Sequence, residues 1–201
     1  MERRGEGGRI GILGGTFDPV HIAHLVAAVE ARTALGLDRV LLVVANDPWQ
    51  KSARVPVTAA EDRYAMTVAA VLGVEGVEAS RLEIDRGGPS YSIDTVEHLA
   101  TAWPDDELYL IVGTDVVGDL GTWHRVEDLK QLVTLVMVER AGVRATPHPA
   151  GWQVQQVAIP ALDISSRDLR HRLATGGNVR FLIPDAAIRC IGDRGLYAES
   201  R

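Results

Sequence analysis

Runs of consecutive apolar residues alternate along this chain with segments in which apolar residues recur every third or fourth position. The runs are short and rich in branched side chains, as in strands that are covered on both faces. The spaced segments are typical of helices that bury one side. The pattern predicts strands at 9–13, 39–45, 77–79, 107–112, 133–138 and 154–159. It predicts helices at 22–36, 58–73, 92–103, 127–131, 165–174 and 185–191.

Two helix ends carry recognisable signals. Thr58 and Glu61 have the spacing of a capping box, in which each side chain bonds a backbone N–H group of the first turn. Gly36 suits the C-terminal end of the first helix. We therefore expect a helix to begin close to Thr58.

The order of the elements indicates the fold class. Strands that alternate with helices imply βαβ units, a largely parallel sheet and right-handed crossovers. The chain shows no internal repeat and no linker. We expect one domain over residues 9–201, with a small helical C-terminal part and a disordered tail over residues 1–8.

Composition excludes several classes of protein. The chain has 201 residues and a formal net charge of −6, which argues against nonspecific binding of nucleic acid. Its single cysteine, Cys190, cannot form an internal disulfide, so a disulfide-framed secreted scaffold is excluded and a cytoplasmic location is favoured. The longest apolar run, 40–45, is far shorter than the ~20 residues that a membrane helix needs. The charged N-terminal residues do not form a signal peptide.

The segment Gly14-Gly-Thr-Phe-Asp-Pro-Val-His-Ile-Ala-His24 lies between the first strand and the first helix. Ligands of open α/β sheets bind at the carboxyl ends of the strands. The glycines let the backbone approach a phosphate closely, and the N–H groups at the helix start attract an anion. Thr16 adds a hydroxyl donor. His21 and His24 share one face of the helix because they are three residues apart.

Two imidazoles beside a helix start suit an anionic ligand whose negative charge grows in a transition state. They could also bind a metal, but no third ligand is evident nearby, and the usual zinc spacing on a helix is four residues rather than three. A glycine turn followed by two surface histidines is the remaining alternative. The whole string at a strand–helix junction favours a phosphate site.

A second candidate phosphate site is Ile164-Ser-Ser-Arg-Asp-Leu-Arg170, at the start of a later helix. Ser165 or Ser166 suits the N-cap of that helix, and Asp168 suits its first turn. Serine hydroxyls, amide N–H groups and the Arg170 guanidinium together can bind phosphate oxygens. Taken alone, the segment also fits a capped surface helix with solvated arginines.

Both segments resemble motifs of a known superfamily. Residues 14–24 resemble the nucleotidyltransferase signature that carries two histidines, with Ala23 where glycine is usual. Residues 164–170 resemble the Ile-Ser-Ser-Thr-x-x-Arg motif of nicotinate mononucleotide adenylyltransferases, with Arg167 in place of the threonine. The signature alone also occurs in other adenylyl- and cytidylyltransferases, so it does not identify a substrate.

The loop after the second strand, 45–51, resembles the Asn-x-Pro-Pro-His-Lys-like loop of the same family. Asn46 and Lys51 match that loop, while Trp49 and Gln50 depart from it. The resemblance implies that Lys51 reaches the triphosphate of ATP. A solvated loop lysine is the alternative.

Three further segments select the nicotinate branch. Ser92 stands in Ser-Tyr-Ser where the family has Ser-Tyr-Thr, and its hydroxyl is implied to contact the pyridine carboxylate. It also suits the N-cap of its helix. Asp115 ends a Gly-x-Asp element. Trp123 and His124 resemble the pair against which the pyridine ring stacks, and a core position is the alternative for Trp123.

The resemblance implies a Rossmann-like nucleotidyltransferase α/β fold, with helices on both faces of a mainly parallel sheet in the order 3-2-1-4-5. It implies an enzyme of NAD biosynthesis that joins ATP and nicotinate mononucleotide by direct in-line attack, giving nicotinate adenine dinucleotide and pyrophosphate. Nicotinamide mononucleotide and phosphopantetheine are alternative acceptors. A module that binds nucleotides without turnover is the nonenzymatic alternative.

The resemblance also implies roles for single residues. The catalytic residues are His21, His24, Lys51 and Arg170. The ATP phosphates are further assigned to Gly14, Gly15, Thr16, Phe17, Ser165 and Ser166, and nicotinate mononucleotide to Asn46, Ser92, Asp115, Trp123 and His124. Mg²⁺ is expected to enter on phosphate oxygens rather than on protein ligands. The expected partners are these small molecules, and neither nucleic acid nor a membrane is expected to be a partner. Assembly into a homo-oligomer is left open as an alternative.

Overall fold

Six strands form one parallel sheet in the computed structural model, which describes residues 7–48, 56–140 and 146–198. The strands are β1 Arg9–Gly15, β2 Arg39–Val44, β3 Val77–Ser80, β4 Glu107–Gly113, β5 Thr134–Arg140 and β6 Val154–Ile159. They lie in the order β3-β2-β1-β4-β5-β6, and all five neighbouring pairs are parallel. The predicted order of the first five strands is confirmed, and β6 extends the sheet beside β5.

The helices that connect the strands follow most of the predicted positions. They are α1 Ile22–Leu35, α2 Ala60–Val71, α3 Leu82–Arg86, α4 Ser92–Ala102, α5 Val126–Leu132, α6 Ser166–Ala174 and α7 Asp185–Asp193, with a 3-10 helix at Val117–Thr122. The helix α3 and the 3-10 helix were not predicted. Elements this short contain too few apolar repeats to display a helical period.

The central strands bury side chains on both faces of the sheet. In β1, Leu13 belongs to an apolar cluster shared with α1, α2, α6 and α7. Its neighbour Ile12 belongs to a second cluster, shared with α4 and α5. Ile12 is paired with Leu41 of β2 and Leu110 of β4. Because full burial of one such side chain contributes about 1.5–3 kcal/mol, the two clusters stabilise the packing of the helices on both faces of the sheet.

The capping box predicted for Thr58 and Glu61 is wrong. The helix α2 begins at Ala60, and its N-cap has no side-chain hydrogen bond. The backbone of Thr58 is used elsewhere: its N–H group donates to Oδ2 of Asp18 at 3.3 Å, and its carbonyl accepts from Nε of Arg63 at 2.7 Å. Thr58 therefore ties the start of α2 to the loop after β1.

The predicted tail includes one residue that is part of the fold. Gly8 is buried, and its carbonyl accepts a hydrogen bond of 2.8 Å from the N–H group of Glu107. Residues 1–6 lie outside the described residues. Within the described segments, every helix is too short or too polar to cross a membrane.

Candidate active site

The two glycines that end β1, before the loop to α1, leave open space at the carboxyl edge of the sheet. Among the described residues, no atom other than those of Gly14 and its chain neighbours lies within 4 Å of the position that a Cβ atom of Gly14 would take. At Gly15 a Cβ atom would lie 2.7 Å from the ring of Phe17, so glycine is required there by close packing. Phe17 is itself buried and has a φ of +50°. The end of β1 therefore packs on Phe17 at Gly15 and is exposed at Gly14.

His21, the N-cap of α1, and His24, in its first turn, stack on each other. The ring centroids of His21 and His24 are 3.7 Å apart, with an angle of 25° between the planes. The backbone N–H group of His21 donates to Nδ1 of His24 at 3.2 Å. A neutral imidazole that accepts at Nδ1 carries its proton on Nε2. His24 thus has a donor at Nε2, and the edge-on ring of Phe17, 5.0 Å away, helps to fix its orientation.

The helix α6 docks on the same loop and brings the second predicted motif to the first. Ser166 Oγ donates to the carbonyl of Pro19 at 2.9 Å, and Arg170 Nη1 donates to the carbonyl of Asp18 at 2.6 Å. Ser165 is the N-cap of α6, with its Oγ accepting from the N–H group of Asp168 at 3.1 Å. Segments about 150 residues apart in sequence thus form one polar edge.

A buried carboxylate that the sequence did not reveal lies under this edge. Asp18 is 4% exposed, and its Oδ1 accepts a hydrogen bond of 2.6 Å from the hydroxyl of Tyr197. Burial, together with this bond, raises the pKa of Tyr197 well above its usual range. The Nη1 atom of Arg170 lies 4.0 Å from Oδ2 of Asp18. Asp18 therefore links the C-terminal segment and α6 to the loop after β1.

The loop after β2 lies against the segment that precedes α4. The side chain of Asn46 donates from Nδ2 to the carbonyl of Gly88 at 2.9 Å, and its backbone N–H group donates to Oγ of Ser90 at 2.9 Å. The N–H group of Ser90 donates to the carbonyl of Asp47 at 3.0 Å. The predicted Lys51 of this loop lies outside the described residues.

A second buried carboxylate supports this region. Glu83 of α3 is 6% exposed, and its Oε1 accepts a hydrogen bond of 2.7 Å from Oγ1 of Thr95. Burial raises the pKa of Glu83, against hydrogen bonds from Ser90 and Thr95 that lower it. The same Ser90 accepts from Asn46, so Glu83 is connected through one hydroxyl to the loop after β2.

The predicted pyridine-binding residues lie at the start of α4 and after the 3-10 helix. Ser92 is the first residue of α4 rather than its N-cap, which is Tyr91, so the alternative role as a cap is wrong. The ring of Tyr91 lies 4.5 Å from that of His124, tilted by 34°. Trp123 is half-buried against the second apolar cluster, whereas His124 is exposed. Tyr91 is an aromatic ring that the sequence did not assign to the site.

The residue after His124 holds this segment in place. Arg125 has a φ of +50°, unusual for a residue with a side chain. Its guanidinium lies 2.6 Å from Oε1 of Glu97 on α4 and 2.7 Å from Oδ2 of Asp128 on α5. The segment that carries His124 is therefore fastened to both neighbouring helices.

Asp115 follows β4, the strand that neighbours β1 on the side opposite β2. The loop after β1 and Asp115 therefore share the edge at which the direction of strand order reverses, where ligands of such sheets bind. Asp115 is exposed, and its Oδ1 lies against Gly113, where a Cβ atom would collide with it. Glycine at 113 thus lets the Asp115 carboxylate fold back over the strand end.

The polar groups at this edge include the His24 imidazole and the Arg170 guanidinium, although the Ser166 hydroxyl and Nη1 of Arg170 already donate to the carbonyls of Pro19 and Asp18. Such groups suit phosphate oxygens. Within the residues that the structure describes, three or more histidine, cysteine or acidic side chains do not meet in a metal-binding group.

Comparison with known proteins agrees with this geometry. The cytidylyltransferase-like family model matches residues 12–172. A nicotinate-nucleotide adenylyltransferase of Streptomyces coelicolor is 46% identical over 187 residues, covering 92% of this chain and 98% of the relative. One of Thermus thermophilus is 44% identical over 189 residues, covering 94% and 99%.

A solved structure has the same fold. It is that of Plasmodium falciparum nicotinic acid mononucleotide adenylyltransferase complexed with NaAD, with a TM-score of 0.78 over 94% of this chain and 97% of the other. At 19% identity this likeness bears on the fold alone. The family follows from the model match and from the closer relatives: the chain belongs to the cytidylyltransferase-like proteins and, among them, to the nicotinate-nucleotide adenylyltransferases.

Proposed function

We propose that this protein transfers the adenylyl group of ATP to nicotinate mononucleotide, giving nicotinate adenine dinucleotide and pyrophosphate for NAD biosynthesis. The observation that carries the proposal is the stacked pair His21 and His24 at the open loop after β1, with Ser166 and Arg170 docked on the same loop. A site that only binds nucleotides has no need of an imidazole donor beside the glycine loop. The two relatives that carry the name nicotinate-nucleotide adenylyltransferase, at 46% and 44% identity, support the choice of substrates.

The chemistry needs no protein nucleophile. An oxygen of the 5′-phosphate of nicotinate mononucleotide forms a bond to the α-phosphorus of ATP, and the bond from that phosphorus to the bridging oxygen of pyrophosphate breaks. The electron pair of the broken bond leaves with pyrophosphate. Catalysis then consists of alignment and of stabilising charge on the phosphoryl oxygens.

On the ATP side, the Nε2–H group of His24 would donate to an oxygen of the transferring phosphate, with His21 stacked behind it. Gly14 leaves room for the phosphates to approach the backbone, and Ser166 and Arg170 border the same loop. The further phosphate contacts belong to Gly15, Thr16, Phe17, Ser165 and, from the loop after β2, Lys51.

On the acceptor side, the pyridine ring would stack against the Trp123–His124 segment, and the Ser92 hydroxyl would contact its carboxylate. Asn46 and Asp115 would border the ribose and phosphate of the mononucleotide. Support comes from the two fastened loops, one held by Ser90 and the other by Arg125. Divalent cations neutralise phosphate charge in such reactions, and Mg²⁺ would be carried by ATP itself.

The protein is proposed to act in the cytoplasm on these small molecules, without nucleic acid or membrane. The single cysteine, Cys190, half-buried in α7, fits a reducing compartment. A homo-oligomer is compatible with the same proposal.

A pyrophosphate-release assay tests the proposal. The protein is incubated with ATP, Mg²⁺ and one of three acceptors: nicotinate mononucleotide, nicotinamide mononucleotide or phosphopantetheine. Release is expected with nicotinate mononucleotide at a kcat/KM well above that with the other two. Faster release with another acceptor would reassign the substrate. Binding of ATP without release for any acceptor would support the nonenzymatic alternative.

A further inference from the structure

Arg63 of α2 is a buried cation to which neither sequence motif gives a role. It is 1% exposed, the largest of the fully buried side chains among the described residues. Burial lowers the pKa of its guanidinium, and the negative charge of Asp18 opposes that shift. Cations are rarely buried to this extent because losing their hydration is costly. The position of Arg63 therefore calls for a physical reason.

Four backbone carbonyls surround the Arg63 guanidinium and accept the hydrogen bonds that water would otherwise accept. Nε donates to Thr58 O at 2.7 Å, Nη1 to Thr16 O at 2.9 Å and to Ala45 O at 2.6 Å, and Nη2 to Asn46 O at 3.0 Å. These carbonyls come from the loop after β1, the loop after β2 and the residues before α2. The planar fork of arginine can meet them at once, whereas the single ammonium group of lysine cannot.

Each of these bonds fixes the direction of a neighbouring N–H group. In a planar trans peptide, the carbonyl of one residue and the N–H group of the next point in opposite directions, and these peptides are trans. With Thr16 O turned toward Arg63, the N–H group of Phe17 is turned away from it. With Ala45 O turned toward Arg63, the N–H group of Asn46 is turned away, and it reaches Oγ of Ser90 at 2.9 Å.

We infer that Arg63 is a positioning residue, whose guanidinium sets the peptide orientation of the ATP-side loop at Thr16–Phe17 and of the acceptor-side loop at Ala45–Asn46. The inference rests on the proposed function, since it concerns the alignment of its two substrates. One side chain bonded to both loops keeps their N–H groups in a fixed relation. Misplacing reacting groups by about 1 Å can cost about 10²-fold in rate. Arg63 touches neither substrate and acts through the backbone.

The test compares Arg63→Lys and Arg63→Met with Arg194→Lys. Arg194 is an exposed arginine that pairs with Asp62 of the same helix α2 at 2.6 Å, so it controls for packing of that helix. Arg63→Lys is expected to lower kcat by about 10²-fold with a much smaller change in KM for either substrate. It is also expected to shift the backbone amide resonances of Phe17 and Asn46 in nitrogen–proton NMR spectra. Arg194→Lys is expected to do neither.

Three results would overturn the inference. The first is a folded Arg63→Lys with the kcat of the wild type, and the second is a loss of kcat with the Phe17 and Asn46 amides unmoved. If both Arg63 variants fail to fold, the wild type decides. The Phe17 amide resonance of the wild type is expected to shift when a nonhydrolysable ATP analogue binds. The third result that would overturn the inference is a Phe17 resonance that does not move at saturating analogue. None of the amide readouts requires turnover, so absence of pyrophosphate release from the wild type would refute the proposed function separately.

Discussion

The hydroxyl of Tyr197 donates a hydrogen bond of 2.6 Å to Oδ1 of Asp18, across 179 residues of sequence. Asp18 is a buried residue of the loop between β1 and α1, where its own carbonyl accepts from Arg170 and the carbonyl of Pro19 accepts from Ser166. The segment after α7 is therefore connected by one bond to the loop that carries the two histidines. The stability of that loop should depend on this tyrosine.

We expect Tyr197→Phe to lower the free energy of unfolding by about 1–3 kcal/mol, because it removes a donor from a buried carboxylate. The measurement is urea-induced unfolding at pH 7. Tyr64→Phe is the matched control, since Tyr64 is a half-buried tyrosine of α2 whose ring lies 5.3 Å from the Arg81 guanidinium. Equal losses in the two variants would show that the bond to Asp18 contributes nothing particular.

The imidazole of His24 has two functions, an acceptor at Nδ1 for the helix start and a donor at Nε2 for the substrate. Two substitutions can test these functions separately. His24→Asn keeps an acceptor near Nδ1 for the N–H group of His21 but has no donor at the position of Nε2. His24→Ala has neither. Both variants are expected to lose about 10²–10³ in kcat, or about 2.7–4 kcal/mol of transition-state stabilisation.

Unfolding of the same two proteins distinguishes structure from catalysis. His24→Asn should keep more of the wild-type stability than His24→Ala, because it retains a partner for the helix start. Steady-state pyrophosphate release gives kcat, and urea unfolding gives the stability. An unchanged kcat in either variant would remove His24 from the proposed mechanism.

Much of the fold could be predicted because it depends on local pattern. Apolar runs closed by glycine placed the strands, and their alternation with helices gave the parallel sheet. The loop from Gly14 to His24 was identified for the same reason, since its glycines and histidines are contiguous in sequence. His21 is the N-cap of α1 and His24 is its third residue, so the three-residue spacing brings the two rings together in the manner of a capping box.

The buried charged residues could not be predicted, because pattern analysis assigns charged side chains to the surface. Arg63 stands between polar and apolar residues of α2 as an ordinary solvated arginine would. Its burial depends on carbonyls from the loop after β1 and from the two described ends of the connection between β2 and α2. The failed capping box at Thr58 has the same origin, since the carbonyl of Thr58 is bound by Arg63. The contact of Tyr91 with His124 likewise needs tertiary structure.

The buried carboxylate of Glu83 predicts a pH dependence of stability. Burial raises its pKa in the folded protein above that of an unfolded glutamate, about 4.3. Between these two pKa values the folded state binds more protons than the unfolded state, so this group's contribution to stability falls as pH rises. The stability of the wild type relative to Glu83→Gln should therefore decrease from about pH 4.3 upward and become constant above the folded pKa.

Urea unfolding at intervals between pH 4 and pH 8 measures this difference. Glu78→Gln serves as the control for removing one negative charge, because Glu78 is exposed on β3. If the wild type instead became more stable relative to Glu83→Gln as pH rises, the raised pKa would be contradicted. A difference that is constant across the range would do the same.

The ion pair between Arg125 and Glu97 predicts a selective effect on the acceptor. Both side chains are 42% exposed, so Glu97→Gln should change stability by no more than about 1 kcal/mol. The pair fastens the segment of Trp123 and His124 to α4, so its loss should raise KM for nicotinate mononucleotide roughly two- to fivefold, which corresponds to about 0.4–1 kcal/mol. KM for ATP should stay constant.

Glu127→Gln is the control for loss of an exposed carboxylate. It breaks a 2.7 Å pair with Lys130 within α5 and should leave both KM values unchanged. Parallel rises in the two KM values, or an equal effect of Glu127→Gln, would show that the Arg125 pair does not position the acceptor side.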